Sequence, residues 1–293
     1  MKKNKICVVI CCREFSSKIS KLLNDIQTTS KFDEYEIFVV LVFNFSIKIS
    51  NSEYRLIKYS LNKVNFKITY EKKRGIANVR NHALKLIKKL KFDYCSFLDD
   101  DCRISKNFFI NHLNFLKKSN SNIVTGPQIY KSKNKLFKIF ERNFKIGKVV
   151  SWASTNNVFF KRKILNYNIF FSNKVSKYGF GEDQLFFLKL NKLGETIIWN
   201  NNPVYEIRQI DRENIMWFIN RNYKYGLTGL LIDRELYSFV TAYFLNIFKA
   251  IYNLLKSVFY LAFFLILPKD YLYFSLGYFL RFIGRVYKIF YIR

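Results

Sequence analysis

Cys95-Ser96-Phe97-Leu98-Asp99-Asp100-Asp101-Cys102 decides how this chain is read. A short apolar run ends on three consecutive carboxylates, in a protein whose formal net charge is +29. Like charges held this close raise each other's cost of ionisation unless a cation satisfies them. A hard divalent cation such as Mg²⁺ or Mn²⁺ takes carboxylate oxygens for that purpose. An Asp-x-Asp pair at the end of a buried strand is a common way to hold a metal-bound diphosphate. Taken alone, the cluster also fits a solvated turn or a helix cap, so its surroundings carry the decision. If the segment stays extended, alternate side chains point to opposite faces, one toward a metal and the other toward a sugar hydroxyl.

Upstream of the aspartates the chain alternates strand and helix signals. Ile6–Cys11 is an apolar run, followed by a helix capped by Ser16 or Ser17 with Ile19, Leu22, Leu23 and Ile26 on one face. Strands are expected at Glu36–Phe43, Phe66–Tyr70 and Tyr94–Leu98, with a helix after Arg74-Gly75 that repeats Ile76, Val79, Ala83, Leu84, Ile87 and Leu90 at helical spacing. This alternation predicts an α/β fold with a mostly parallel, Rossmann-like sheet. Ligands of such sheets bind at the carboxyl ends of the strands, where Asp99–Asp101 lie. Downstream, strands are expected near Ile123–Thr125, Val149–Ala153, Val158–Lys161, Thr196–Trp199 and Val204–Arg208. Helices are expected from Glu182 through Leu193 and over Glu213–Tyr225, the latter closed by Gly226.

Composition narrows the class. Of the 293 residues, 50% are hydrophobic and 19% aromatic, enough for a large core and far from a disordered composition. The basic excess draws polyanions, but Lys is spread along the whole length, and nucleic-acid binding calls for a basic stripe. No nucleic-acid partner is therefore expected. Cys7, Cys11, Cys12, Cys95 and Cys102 lack the spacing of a zinc site and read as small core residues in a reducing cytosol. His82 and His112 fall on separate predicted helices and do not make a histidine-based centre.

After about Tyr237 the character changes. From Phe239 to Leu267 the only charged residues are Lys249 and Lys256, and the stretch is long enough to cross a bilayer. Asn246, Lys249, Asn253 and Lys256 form a narrow polar stripe, which fits a helix lying in the membrane interface. Pro268-Lys269-Asp270 breaks the helix, and an aromatic-rich helix follows with Arg281, Arg285 and Lys288 on one face. The plainer reading is a helix pair packed on the rest of the protein. The expected organisation is a catalytic domain over residues 1–236 and a membrane-associating segment over residues 237–293.

Further groups with chemical potential surround the carboxylates. Glu182-Asp183 follow Gly179-Phe180-Gly181 and open a helix. There an acid either stabilises the helix terminus or serves as a general base. Arg74-Gly75 precede a helix N-terminus suited to phosphate oxygens. Arg80 lies one turn further, beside a ligand or in a structural pair with an aspartate of the cluster. Arg13 directly follows the first strand. Arg212 and Arg221 flank the Glu213–Tyr225 helix.

Taken in order, RGIANVRNHAL (74–84), FLDDDCRISKNFF (97–109) and GFGEDQLFFLKLNKLGETIIW (179–199) resemble a family 2 glycosyltransferase of the GT-A fold, in its membrane-associated bacterial form. NVFFKRK (157–163) and PVYEIRQIDREN (203–214) extend the likeness, which runs from about Lys5 to Gly226. The resemblance implies inverting, metal-dependent transfer of a sugar from a nucleotide-sugar donor to a hydroxyl. The acceptor would be a glycan or a lipid-linked precursor of a surface polysaccharide. It implies Asp183 as catalytic base with Glu182 beside it, and Asp101 as ligand of the divalent metal. Arg13, Arg74, Gly75, Arg80, Asp99 and Asp100 would contact the nucleotide sugar, Asp99 at the ribose. The implied location is the cytoplasmic, anionic face of the plasma membrane, as a peripheral or monotopic protein. Two positions depart from the family pattern. Phe43 or Asn44 stands where an Asp commonly contacts the donor base, and Tyr205 or Glu206 where some members place a metal-contacting His. A nucleotidyltransferase on a similar sheet is the alternative enzyme; it would not need the Glu182-Asp183 base.

Overall fold

The apolar run at the N-terminus becomes β1, Asn4–Cys12, and its alternation organises two layers. Ile6, Val8, Ile10 and Cys12 face one hydrophobic cluster, and Cys7 and Val9 face the other. A strand buried on both faces must sit in the middle of a sheet with helices on either side. The computed structural model describes residues 3–29, 33–44, 48–130, 140–206, 214–264 and 270–291. Arg212, residues 207–208 of the last expected strand, and the break at Pro268-Lys269 lie outside the described residues.

β1 is flanked by β2, Tyr35–Asn44, and by β4, Tyr94–Asp99, both parallel to it; β3, Asn65–Glu71, adds a parallel edge beyond β2. Helix α1, Ser17–Thr29, and α2, Asn51–Ser60, contribute Ile19, Leu22, Leu23, Ile26 and Ile57 to the first cluster. Helix α3, Ile76–Lys88, covers the other face through Ala77, Val79, Ala83, Leu84 and Ile87. Helix α2 is not among the elements expected from the sequence. Its signal was Ser50 and Glu53, a capping box in which each side chain accepts from the other's backbone N–H.

After β4 come the short β5, Cys102–Arg103, helix α4, Phe108–Lys118, β6, Ile123–Thr125, and β7, Gln128–Tyr130. Strands β8, Val149–Val150, and β9, Val158–Lys161, precede the four-residue α5, Asn173–Ser176, and then α6, Glu182–Lys192. β10, Ile197–Trp199, and β11, Val204–Glu206, complete the strands among the described residues. The main sheet runs β3-β2-β1-β4-β9-β6-β10-β8, and β5-β11-β7 form a second small sheet. β9 enters antiparallel between β4 and β6, so the parallel character belongs to the β3–β4 half and the β6–β10 pair. All five cysteines are free thiols.

The chain forms two compact units. The first holds both sheets and comprises Met1–Lys131, Glu141–Asn173 and Phe186–Ile207. The second comprises Ser132–Phe140, Lys174–Leu185 and Arg208–Arg293. It contains three long helices, α7, Ile215–Leu236, α8, Phe239–Phe264, and α9, Asp270–Phe290. The boundary expected between Leu236 and Tyr237 thus falls inside this unit.

Two expectations for these helices need correction. Helix α7 does not stop at Gly226; it runs through to Leu236. Gly226 is there because a Cβ would sit 2.3 Å from the Arg281 carbonyl oxygen of α9. A helical glycine marks either an end or a close approach, and here it is the approach. The polar stripe of α8 and the basic face of α9 also point inward, not toward water. Asn246, Asn253 and Ser257 are buried with Ala242 and Ala250. Arg285 donates to the Asn246 side chain at 2.6 Å, Arg281 to Asn222 at 2.8 Å, and Ser257 and Ser275 bond each other's carbonyl oxygens. Asp233 is buried beside Lys249 at 2.6 Å and Arg285 at 3.7 Å. The large apolar side chains therefore face outward: Phe244, Phe248, Tyr252, Leu255, Phe259 and Leu261 of α8 are each 50–68% exposed.

Candidate active site

The carboxyl ends of β1, β2 and β4 share one rim of the first unit. Asp99 is the last residue of β4 and pairs in register with Cys11 near the end of β1. Asp100 and Asp101 then form a turn instead of continuing the strand, and Cys102 opens β5. The extended geometry expected across Asp99–Asp101 therefore ends at Asp99, and the carboxylates are aimed by a turn. That turn is pinned from behind. Arg103 donates to Asp25 of α1 at 2.5 and 2.7 Å, and the Ile104 N–H donates to the same carboxylate at 3.2 Å. A two-pronged guanidinium–carboxylate pair of this kind fixes orientation as well as distance. No local pattern announces this pair, because the partners lie 78 residues apart.

Arg80 lies under this rim. It is buried, its guanidinium is 3.5 Å from an Asp99 oxygen, and it stacks 5.6 Å from the centre of the Phe171 ring. Of the two roles read from the sequence, the structure displays the ion pair. The local charge registers on Cys11, whose thiol is pushed up to about 12, chiefly by burial, with Arg80 opposing and Asp99 and Asp100 adding. Cys11 is thus a neutral neighbour of the carboxylates and not a nucleophile.

Arg74 is exposed at the end of the β3–α3 connection, and Gly75 is the N-cap residue of α3 with φ of +119°. Only glycine takes that conformation without strain. Asn44, at the end of β2, holds the connection in place. Its side-chain oxygen accepts from the Gly75 N–H at 3.0 Å, and its amide donates to the Lys73 and Glu71 carbonyl oxygens at 2.8 and 3.3 Å. Phe43 is buried in the core and stacks on Tyr70 with centroids 6.0 Å apart. Arg13 is exposed immediately after β1.

Glu206, the other departure noted above, sits on β11 directly opposite Cys102, so it borders the aspartate turn. It is buried and accepts a hydrogen bond from Gln128. Among the described residues no group of three or more His, Cys, Asp or Glu forms a ready-made metal cage. A metal that rides on a diphosphate does not need one, since one or two carboxylates plus phosphate oxygens suffice. The carboxylates of the Asp99–Asp101 turn are a chemically fitting donor set. His112 is remote from such chemistry. It is buried, bonds Asn157, and its pKa is lowered to about 3 by burial.

Glu182 and Asp183 belong to the second unit. They open α6 after Gly179 and Gly181, which have φ of +80° and +88°. A Cβ on Gly181 would come within 3.1 Å of Ile232 and 3.2 Å of Val175, so this loop is seated tightly on α7. Glu182 is buried, while Asp183 is half-buried and accepts from the Gln184 N–H at 2.7 Å. Arg221 of α7 stacks on Phe180 and Trp217, with 5.0 and 4.8 Å to the ring centres.

The glycosyl transferase family 2 model matches residues 7–178, and that of glycosyl transferase family group 2 matches residues 95–289. The chain belongs to glycosyl transferase family 2. It is accordingly a glycosyltransferase that draws sugar from a nucleotide-sugar donor, on a GT-A-like α/β fold. Among solved structures, the mannosyltransferase PcManGT from Pyrobaculum calidifontis, in complex with GDP-Man and Mn²⁺, is similar over 100% of this chain and 88% of its own. The TM-score is 0.66 and the identity 16%. Residues 1–349 of S. aureus TarS in complex with UDP are similar over 82% of this chain and 68% of that one, with TM-score 0.56 and 18% identity. At these identities the likeness concerns the fold. No curated protein sequence matches the chain.

Proposed function

We propose that this glycosyltransferase performs inverting transfer to an acceptor presented at a membrane, with the Asp99–Asp101 turn at the donor diphosphate and Asp183 as the base. The observation that carries the reading is the position of the turn, at the carboxyl end of a central parallel strand and braced by Arg80 and the Asp25–Arg103 clamp. Asp101, with Asp99, would hold a divalent metal, which when bound neutralises charge on the leaving diphosphate. The complexes of PcManGT with GDP-Man and Mn²⁺ and of TarS with UDP support nucleotide and metal chemistry on this fold. Arg13, Arg74, Gly75 and Asp100 would line the nucleotide side, and Arg80 would serve it from below by fixing Asp99.

Asp183 takes the proton of the acceptor hydroxyl, and the oxygen attacks the anomeric carbon from the face opposite the diphosphate. The bond from that carbon to the diphosphate oxygen breaks, and the nucleoside diphosphate leaves with the electron pair. Configuration inverts and no covalent enzyme intermediate forms. Asp183 stands in the first turn of α6, where an acidic side chain suits the positive end of the helix.

The membrane side of the proposal rests on α8. Its 26 residues run about 39 Å, more than the roughly 30 Å of a bilayer core. Polar groups satisfied inside a helix bundle, with apolar side chains outside, are what lipid selects. The acceptor is then a lipid-linked or surface-polysaccharide precursor at the cytoplasmic face. Single-turnover transfer with saturating donor tests the base. Asp183→Asn should lose about 10²- to 10⁴-fold in rate with donor affinity kept, and Glu182→Gln should lose less. Asp101→Asn should abolish the Mn²⁺ enhancement of nucleoside diphosphate binding in calorimetry. Near-full transfer by Asp183→Asn would reject the base, and metal-enhanced binding by Asp101→Asn would reject the ligand.

A further inference from the structure

Near the start of α8 the second unit contains a cavity of about 440 Å³, lined by Lys174, Lys177, Tyr178, Leu231, Arg234 and Glu235. Among the described residues three cations face one carboxylate there, so that wall is net positive. Among the described residues, none of Lys174, Lys177 and Arg234 forms a salt bridge with a carboxylate. Tyr178 adds a donor: its oxygen accepts from Lys288 Nζ at 3.2 Å, which leaves its own hydrogen to give away. Leu231 supplies an apolar patch on the same wall. A cavity with these donors fits a phosphate group attached to something apolar.

The position says what that apolar part is. Arg234 lies 5.5 Å from the ring centre of Phe239, the first residue of α8 and 56% exposed. The outward apolar surface of α8 begins at that ring and continues through Val240, Phe244 and Phe248. A cation stacked on an aromatic ring at the end of an apolar helix is the usual chemistry of the headgroup level of a membrane. We propose that this cavity binds the phosphate headgroup of an anionic phospholipid and so fixes how the second unit is seated on the bilayer. The inference rests on the membrane reading above and adds a specific lipid site to it.

Co-sedimentation of the full chain with vesicles tests it, using phosphatidylcholine alone or phosphatidylcholine with phosphatidylglycerol. The wild type should bind both and prefer the anionic vesicles. Neutralising each cavity cation should cost about 5-fold on anionic vesicles, so Lys174→Gln with Lys177→Gln should cost about 25-fold and leave binding to phosphatidylcholine unchanged. Leu231→Trp fills the cavity without altering charge and should remove the same preference. Lys58→Gln with Lys63→Gln, exposed lysines of the first unit, carries the same charge loss and should cost under about 2-fold by itself. An equal loss in that control, or an unaltered preference in Leu231→Trp, would overturn the headgroup site. So would calorimetric binding of inorganic phosphate at the cavity with no anionic preference among vesicles. If the wild type bound neither vesicle, the membrane reading itself would fall; equal binding to both would remove only the lipid site.

Discussion

At the scale of single residues, Asn44 shows how one side chain can shape a candidate site through the backbone it holds. Its amide group spends both donor and acceptor capacity on the connection that carries Arg74 and Gly75. Asn44→Asp retains an acceptor for the Gly75 N–H but sets a carboxylate against the Glu71 and Lys73 carbonyl oxygens. We expect a loss of about 1–3 kcal/mol in thermal or denaturant unfolding, the cost of two missing bonds. Donor KM should rise more than kcat falls. A switch in nucleotide preference with unchanged stability would instead make Asn44 a reader of the base. His112 offers a second residue-level test, through pH. Its folded pKa, about 3, lies below the ordinary histidine value. Between about pH 6.5 and 3 the unfolded chain therefore binds the extra proton, and stability falls as pH drops through that window. The loss is at most about 1.4 kcal/mol per pH unit for one proton. His112→Gln should remove that slope from the acid limb of unfolding, and an unchanged slope would show that other groups set it.

Elements acquire meaning from what they pack against. α7 and α9 cross where Gly226 meets Gly284, and a Cβ on Gly284 would lie 2.3 Å from the Tyr223 carbonyl oxygen. Backbone cannot yield as a side-chain tip does, so Gly284→Val must push the helices apart. Overpacking of this kind costs about 1–3 kcal/mol or more. It should also weaken the Arg281–Asn222 bond a turn away. Circular dichroism of α-helix content and melting temperature would register the change, and a variant that melts like wild type would mean that the crossing is looser than drawn. The aspartate turn has a comparable dependence on α1. Asp25 holds Arg103 directly behind its carboxylates, so the candidate site is braced by a helix far from it in sequence.

For the molecule as a whole, the α8–α9 pair has its polarity reversed relative to a water-soluble helix pair. Asn, Ser and Arg side chains bond between the two helices, and Phe, Leu, Tyr and Val side chains of α8 face outward. Full-length protein is therefore expected to require detergent or lipid to remain monodisperse. Cutting the chain after Leu236 should not release a well-behaved soluble domain. It strips α7 of its α9 partners, Tyr273 beside Phe218 with ring centres 6.3 Å apart and Arg281 bonded to Asn222 at 2.8 Å. Size-exclusion chromatography of both forms checks this. A truncated form that is monomeric and fully helical without detergent would show that α7 holds its structure independently of α8 and α9.

Much of this was legible in the residues themselves. Alternating strand and helix patterns, the carboxylates that end β4, the glycine loop before Glu182-Asp183 and the length of the apolar C-terminal stretch are all local properties, and a local property survives without its partners. The two layers around β1 follow from period two in a run that is apolar throughout. Other features needed the tertiary structure, because periodicity says which residues share a face but not which way that face turns. The stripe of Asn246 and Asn253 is as regular facing a helix partner as facing water, and only α9 decides between them. Gly226 reads equally as an end or a crossing until Gly284 is beside it. Arg80, Asn44 and Asp25 were committed to partners 19 to 78 residues away, and no spacing rule reaches that far. β9, antiparallel between β4 and β6, breaks the parallel order because its place depends on the whole sheet and on nothing in its own four residues.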